Sequence, residues 1–153
     1  YHGIPKRYLL NGDPYHCECY KTSRLIATEL GLTEAQYLTT FQSRFGREEW
    51  LKPYTDATLK LLPTQGVTSV QVFCPGFSAD CLETIEEIGE ENKEYFLHAG
   101  GQRYEYISAL NAEPQHIDAL CQLIKDNLHG WHVTPDSQRA ARASDLNREK
   151  YGD

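Results

Sequence analysis

Strand-like and helical segments alternate along this chain at intervals of about thirty residues, a rhythm typical of βα units. The strand-like segments are 37–43, 69–73 and 104–110, and each is followed by a loop and by apolar residues at helical spacing. Right-handed crossovers turn such units into a doubly wound sheet. Residues 1–5 have the character of the exit from a further strand. We therefore predict an α/β fold with a small, mainly parallel, four-stranded sheet and flanking helices.

Capping residues and helix-ending glycines predict the helices of this fold. The first helix begins at Thr22 or Ser23, after a polar loop over 6–21, and ends at Gly31. The others are predicted over 55–62, from Asp80 until Ala99-Gly100-Gly101 stop the helix, and over 114–128.

Composition restricts the class of partner and the compartment. The 153 residues carry a net charge of −7, which argues against nucleic acid as a partner. No signal peptide opens the chain, and no apolar run approaches the roughly 20 residues of a membrane span. Five cysteines without a CxxC pair indicate a reducing, cytoplasmic compartment rather than a disulfide framework or a zinc ribbon.

The chain contains no methionine, so we expect a fragment or a processed form with a partner domain upstream. The predicted organisation is a single α/β domain over 1–130, followed by a charged tail over 131–153. That tail is predicted to be helical in part between Ser137 and Lys150.

The predicted helix after Pro75 and Gly76 concentrates carboxylates on one side. Asp80 and Glu83 have the spacing of a capping box. The buried face is predicted to comprise Cys81, Ile85, Ile88 and Tyr95, and the acidic face beside it Glu83, Glu87, Glu90, Glu91 and Glu94. Hard and borderline cations favour oxygen ligands, so this face suits delivery of a divalent metal. The alternative is a solvated acidic face that the helix dipole favours.

The predicted strands end at one edge of the sheet, so we expect His2, Arg44 and Glu83 to converge there. A neutral imidazole accepts a proton or binds a metal near neutral pH. Carboxylates bind cations or shuttle protons. Neither a glycine-rich phosphate loop nor a GxSxG elbow follows a strand, so nucleotide binding and serine hydrolysis are unsupported.

A collinear set of short blocks separates this chain from a generic α/β domain. The blocks are Tyr1-His2-Gly3-Ile4-Pro5, Gly12-Asp13-Pro14-Tyr15, Phe41-Gln42-Ser43-Arg44-Phe45-Gly46, Trp50-Leu51, Pro53-Tyr54-Thr55-Asp56, Pro75-Gly76-Phe77 and Leu82-Glu83-Thr84. In this order, over about residues 1–129, the chain resembles the C-terminal half of ferrochelatase, most closely the proteobacterial type.

The resemblance implies a reaction and its partners. Ferrochelatases insert ferrous iron into protoporphyrin IX, the last step of heme biosynthesis, in a cleft between two similar α/β halves. The implied partners are therefore protoporphyrin IX, ferrous iron and the missing N-terminal half. The family's catalytic histidine matches His2 and its active-site acid matches Glu83, while Glu87 falls on the carboxylate path behind them. His2, Glu83 and Glu87 are thus the implied metal contacts; which of His2 and Glu83 takes the proton, and which first meets iron, stays open.

Some positions depart from the family or have two interpretations. Some relatives have histidine where this chain has Cys81, which weakens metal binding there, and others bind a [2Fe–2S] cluster through C-terminal cysteines. No cysteine follows Cys121, so we expect no cofactor. Arg44 and Arg47 either bind porphyrin propionates or pair locally. Trp50 either packs the long loop or contacts the macrocycle.

Two other functions stay open at this point. A chelatase for another tetrapyrrole, or for a metal such as cobalt or nickel, would be expected to carry more histidines near the metal site. The chain alone would instead be an inactive half that binds divalent cations weakly through its glutamates and self-associates through an exposed cleft wall.

Overall fold

The computed structural model describes residues 1–128, which adopt an α/β fold with a small parallel sheet and flanking helices. The helices are α1 (Lys6–Leu10), α2 (Tyr15–Glu29), α3 (Thr55–Leu61), α4 (Asn92–His98) and α5 (Pro114–Asn127), with 3₁₀-helices at Glu34–Gln36 and Leu62–Gln65 and a π-helix at Glu83–Glu91. The strands are β1 (Ser69–Phe73) and β2 (Arg103–Ile107). The predicted tail over 131–153 lies outside the described residues.

The chain divides into two compact units, residues 1–113 and residues 114–153. Helix α5 belongs to the second unit and begins at Pro114, as predicted from the favourable position of proline in a first helical turn. All the sheet residues and the candidate site described below belong to the first unit.

Strands β1 and β2 pair in parallel, from Ser69 opposite Arg103 to Phe73 opposite Ile107. The prediction of strand 69–73 is confirmed, whereas β2 ends three residues earlier than predicted. The chain leaves the sheet after Ile107 because Ala109 donates its backbone N–H to Asp80 instead of continuing the ladder.

The predicted strand over 37–43 is not formed as a strand in the described structure. Only isolated parallel bridges occur there, between His2 and Gln42 and between Phe41 and Tyr54. A run of three residues, Tyr1–Gly3, lies beside 40–42 and exchanges three backbone hydrogen bonds of 2.6–3.0 Å with it. This ladder is too short to count as a strand, so residues 1–128 contain a two-stranded sheet where four strands were predicted.

The prediction of a polar loop over 6–21 is wrong, because that segment contains α1 and the first half of α2. Asp13 and Pro14 lie within the predicted loop, but they start a helix. The Asp13 carboxylate accepts the backbone N–H of Tyr15 at 2.8 Å, and Pro14 has a φ of −77°, which suits a helix start. Cys19 of α2 is then buried against Phe41 and Leu51. The predicted helix end at Gly31 is confirmed within two residues.

Helix α3 is confirmed, and it passes into a 3₁₀ turn that Gly66 ends with a φ of 88°. Among residues 1–128, no helix has both the length and the apolar content that crossing a membrane requires.

The helix predicted from Asp80 to Ala99 forms as the π-helix followed directly by α4, which ends at His98, and we call the two together the acidic helix. Of the predicted buried face, Ile88 is buried and Tyr95 is half-buried, whereas Cys81 and Ile85 are exposed. The buried residues of the acidic helix lie four apart: Thr84, Ile88, Asn92 and Phe96. An α-helix has 3.6 residues per turn, whereas π-turns are wider. The wider turns bring residues with a four-residue period to one side.

Candidate functional site

The backbone around His2 is fixed by contacts on both sides. Gly3 donates its N–H to the Gln42 carbonyl at 2.6 Å, and Gln42 donates to the Tyr1 carbonyl at 2.8 Å. The hydroxyl of Tyr15 on α2 donates to the His2 carbonyl at 2.8 Å. A side chain at position 3 would place its Cβ 2.9 Å from the Ser43 carbonyl oxygen, so only glycine permits this close approach.

The imidazole of His2 has its two nitrogens in different surroundings. Nδ1 lies 2.6 Å from the Gly3 carbonyl oxygen. A carbonyl oxygen only accepts hydrogen bonds, so Nδ1 carries the proton in this contact. In neutral imidazole Nε2 then has a free lone pair, and it lies 3.9 Å from Oε1 of Glu83. The ring is 43% exposed, which leaves it accessible to a substrate.

Glu83 begins the π-helix and is the carboxylate of the predicted acidic face that contacts His2. Its side chain is 23% exposed, and Gln42 donates its side-chain N–H to Oε1. Burial raises the pKa of Glu83; the nearby His2 lowers this pKa and the Glu87 carboxylate raises it. A carboxyl with a raised pKa holds a proton more readily than an exposed glutamate does.

Glu87 lies one turn further along the π-helix and is half-buried. Its Oε2 accepts a hydrogen bond of 3.0 Å from the Ser43 hydroxyl. Glu87 and Glu91 line a cavity of about 170 Å³ together with Arg44 and Asp56. Glu90, Glu91 and Glu94 are exposed, so the predicted acidic face is enclosed at its start and open to solvent further along.

Asp80 anchors the start of the acidic helix but does not cap it, contrary to the predicted capping box. Its carboxylate accepts hydrogen bonds from the Tyr106 hydroxyl at 2.6 Å and the Asn111 amide at 2.9 Å. The hydroxyl of buried Thr84 lies 3.0 Å from the same carboxylate. These contacts, with Tyr106 contributing most, lower the pKa of Asp80 to about 2. The contacts tie the helix start to the end of β2.

The other predicted site residues have local partners. Arg44 forms an ion pair of 3.0 Å with Asp56 and lies over the Tyr54 ring, which is the local pairing considered above. The indole of Trp50 donates to the Phe45 carbonyl at 3.0 Å, and its ring centre is 6.3 Å from that of His2. The expected convergence at the edge thus holds for His2 and Glu83, whereas Arg44 points to Asp56.

Sequence reasoning did not identify Gln42, Ser43, Asp80 and Tyr15 as contributors to the site. Gln42 and Ser43 lie at the end of a predicted strand and within one of the collinear blocks, but neither signal indicated a contact with the acidic helix. Within residues 1–128, no three His, Cys, Asp or Glu side chains form a group that could hold a metal ion. The three implied metal contacts, His2, Glu83 and Glu87, are thus not gathered into a closed cage in this part of the chain, and we call them the open row of donors.

Comparisons with known proteins identify the family to which the sequence of this chain is similar. The family model described as ferrochelatase matches residues 1–128. The chain is 71% identical over 150 residues to the ferrochelatase of Idiomarina loihiensis, which covers 97% of this chain and 41% of that protein. It is 77% identical over 136 residues to the ferrochelatase of Pseudoalteromonas atlantica, covering 89% of this chain and 38% of that protein.

A third relative, the ferrochelatase of Marinobacter nauticus, is 67% identical over 156 residues, with 99% of this chain and 42% of that protein covered. The chain spans about two fifths of the length of these curated relatives. The matches confirm the resemblance that the collinear blocks indicate.

Proposed function

Because the chain belongs to the ferrochelatase family, we propose that it forms one wall of the active site of an enzyme that inserts Fe²⁺ into protoporphyrin IX. The product is protoheme, and the reaction is the last step of heme biosynthesis. In the reverse direction, which releases iron, the reaction is that of a lyase. The full-length protein, in this proposal, adds an N-terminal half that closes the opposite side of the cleft.

The contact between His2 and Glu83 is the observation that carries this proposal. Metal insertion releases the two pyrrole N–H protons as the cation enters, so it requires a nearby base. The lone pair of His2 Nε2 and the Glu83 carboxylate, 3.9 Å apart, offer two adjacent acceptors. Burial raises the proton affinity of Glu83, which supports its part as an acceptor at neutral pH.

The open row of donors suits iron as a substrate rather than as a resident ion. A closed cage of ligands would retain Fe²⁺, whereas an insertion enzyme has to release the ion to the macrocycle. We propose that Glu87 passes the cation to Glu83 and His2. No resident cofactor takes part in this proposal.

The proposed second half also accounts for the small sheet and for the expected inactivity of this chain alone. In the full-length protein the short ladder beside His2 would extend to complete a four-stranded parallel sheet. Pockets bury about 70–90% of a ligand of this kind. One wall supplies only part of that area, so we propose that residues 1–153 are inactive alone and self-associate through the exposed cleft wall. The five free cysteines support a cytoplasmic location.

The proposal is tested by following metal insertion into protoporphyrin IX through its absorbance, with the full-length protein under anaerobic conditions. We expect Fe²⁺ insertion by the wild type and a loss of at least about 100-fold in His2→Ala, the range for removal of a general base. His98→Ala is the matched control, because His98 is exposed at the end of α4.

Unchanged turnover in His2→Ala would remove His2 from the mechanism. Insertion of Co²⁺ or Ni²⁺ without insertion of Fe²⁺ would assign the chain to a different chelatase. Turnover by residues 1–153 alone would show that one wall is sufficient.

A further inference from the structure

We infer that Gln42 and Ser43 are positioning residues that hold the Glu83 and Glu87 carboxylates in register with His2. The inference rests on the proposed function, because it assigns to these two neighbours the task of arranging its acceptor and its cation path. Neither residue is expected to exchange protons itself.

Gln42 connects His2 to Glu83 through two different parts of the same residue. Its backbone forms the bridge to the His2 segment in both directions, through Gly3 and Tyr1. Gln42 is 6% exposed as a residue, and its side-chain amide donates to Glu83 Oε1. Any movement of Glu83 away from His2 therefore breaks a buried hydrogen bond to a charged acceptor, which is costly to leave unmade. Gln42 thus sets the distance between the two proposed acceptors.

Ser43 reaches the same helix because its backbone leaves the extended conformation. In a strand, successive side chains point to opposite faces, so Gln42 and Ser43 would point apart. Ser43 has a φ of 59°, in the left-handed region that non-glycine residues rarely adopt. This conformation lets its hydroxyl donate to Glu87 while the preceding amide donates to Glu83. Strained backbone of this kind persists where the surrounding structure fixes it.

The chemical character of the two donors also fits a cation path. A lysine or arginine in either position would fix the carboxylates equally well, but its positive charge would repel the incoming Fe²⁺. The amide of Gln42 and the hydroxyl of Ser43 favour the ionised carboxylates without adding charge. Arg44, the adjacent cation, is instead paired with Asp56.

The test uses the full-length protein and measures kcat/KM for Fe²⁺ against pH. In Gln42→Met the Glu83 carboxylate loses its donor, so we expect kcat/KM to fall about tenfold and the acid limb to move to higher pH. Gln71→Met is the matched control, because Gln71 makes the same kind of amide–carboxylate bond, to Glu105, on the exposed face of the sheet. It should leave both quantities unchanged.

Two variants separate the Ser43 hydroxyl from its backbone. Ser43→Gly and Ser43→Ala both remove the hydroxyl, but glycine adopts a positive φ without strain. We expect both to raise KM for Fe²⁺ about threefold at nearly constant kcat. A loss in Ser43→Ala with full recovery in Ser43→Gly would assign the effect to the backbone and overturn the role of the hydroxyl.

The remaining outcomes also decide the inference. An unshifted acid limb in Gln42→Met, or the same shift in Gln71→Met, overturns it. If Gln42→Met fails to fold, Gln42→Glu retains the shape and its like charge should move the acid limb further to higher pH. If the wild type inserts no metal, the proposed function fails. The positioning role is then judged from the Glu83 pKa, measured by carboxyl NMR, which must be higher in Gln42→Met than in the wild type.

Discussion

The two ends of the acidic helix carry the same kind of side chain in opposite surroundings. At its start, Glu83 accepts from Gln42 and Glu87 accepts from Ser43. Further along, Glu90 is 72% exposed and has a 4.0 Å contact with Lys93, one turn away on the same helix. Carboxylates alone do not make a site. Burial and hydrogen-bond donors held in place distinguish the carboxylates that we propose to take part in metal insertion from those that only give the surface its negative charge.

Among the four variants considered next, Asp80→Asn is expected to have the largest effect on stability, because it loosens the start of the helix. Asparagine keeps the shape but turns one acceptor oxygen into a donor that faces Tyr106 or Asn111. We expect the free energy of unfolding to fall by about 1 kcal/mol at neutral pH and metal insertion to fall about tenfold.

The pH dependence of unfolding in urea provides the check on Asp80. The pKa of this carboxyl is lowered to about 2, so its stabilising contribution is present above the usual Asp value and is lost as the pH falls toward 2. The free energies of unfolding of the wild type and of Asp80→Asn should therefore become equal as the pH falls toward 2. Equal stability at neutral pH would show that the anchor is unimportant.

Glu87→Gln should have a smaller effect, confined to the metal. Glutamine keeps the contact with Ser43 but removes the charge that attracts Fe²⁺. We expect KM for Fe²⁺ to rise about threefold to tenfold while kcat stays within about twofold, a split that indicates lost binding of the ground state. Steady-state kinetics at varied Fe²⁺ measure it, and a fall in kcat alone would contradict the assignment.

Glu83→Gln tests the cost of enclosing a carboxylate at the helix start. Burial raises the pKa of Glu83, so its contribution to stability is complete below the unfolded-state value and is lost as the pH rises through the folded-state pKa. The substitution should therefore stabilise the fold at neutral pH by about 0.5 kcal/mol or less, with no gain in acid. Thermal unfolding at two pH values measures this, and a loss of stability at neutral pH would refute it.

Glu90→Gln should have the smallest effect, because exposed ion pairs contribute little. We expect a change in unfolding free energy below about 0.5 kcal/mol and an insertion rate within about twofold of the wild type. A tenfold loss of rate would extend the chemically important region to the exposed end of the helix.

The difference between contacts within a few residues and contacts between distant segments explains which features could be predicted from the sequence. Local signals predicted β1, α3 and the start of α5, because strand composition, capping and glycine positions act within a few residues. The predicted strand ends indicated that His2 and Glu83 meet, and the family resemblance implied their roles. The π-turns were missed because they depend on how Thr84 and Asn92 are buried, which no local pattern states.

The contributors that link distant segments were missed for the same reason. Gln42 and Glu83 are 41 residues apart, and Asp80 and Tyr106 are 26 apart. Polar residues at such separations have no periodicity to indicate a contact. The start of α2 was missed because Asp13 and Pro14 serve equally well in a turn and at a helix start.

The most direct measurement compares Glu83→Gln with Glu91→Gln in the full-length protein, as initial rates of Fe²⁺ insertion into protoporphyrin IX under identical conditions. Both variants remove one negative charge from the acidic helix, so their effect on its overall field is similar. We predict a loss of at least about 100-fold for Glu83→Gln and a change within about threefold for Glu91→Gln. Equal losses in the two variants, or a larger loss in Glu91→Gln, would contradict the assignment of the chemistry to the enclosed start of the helix.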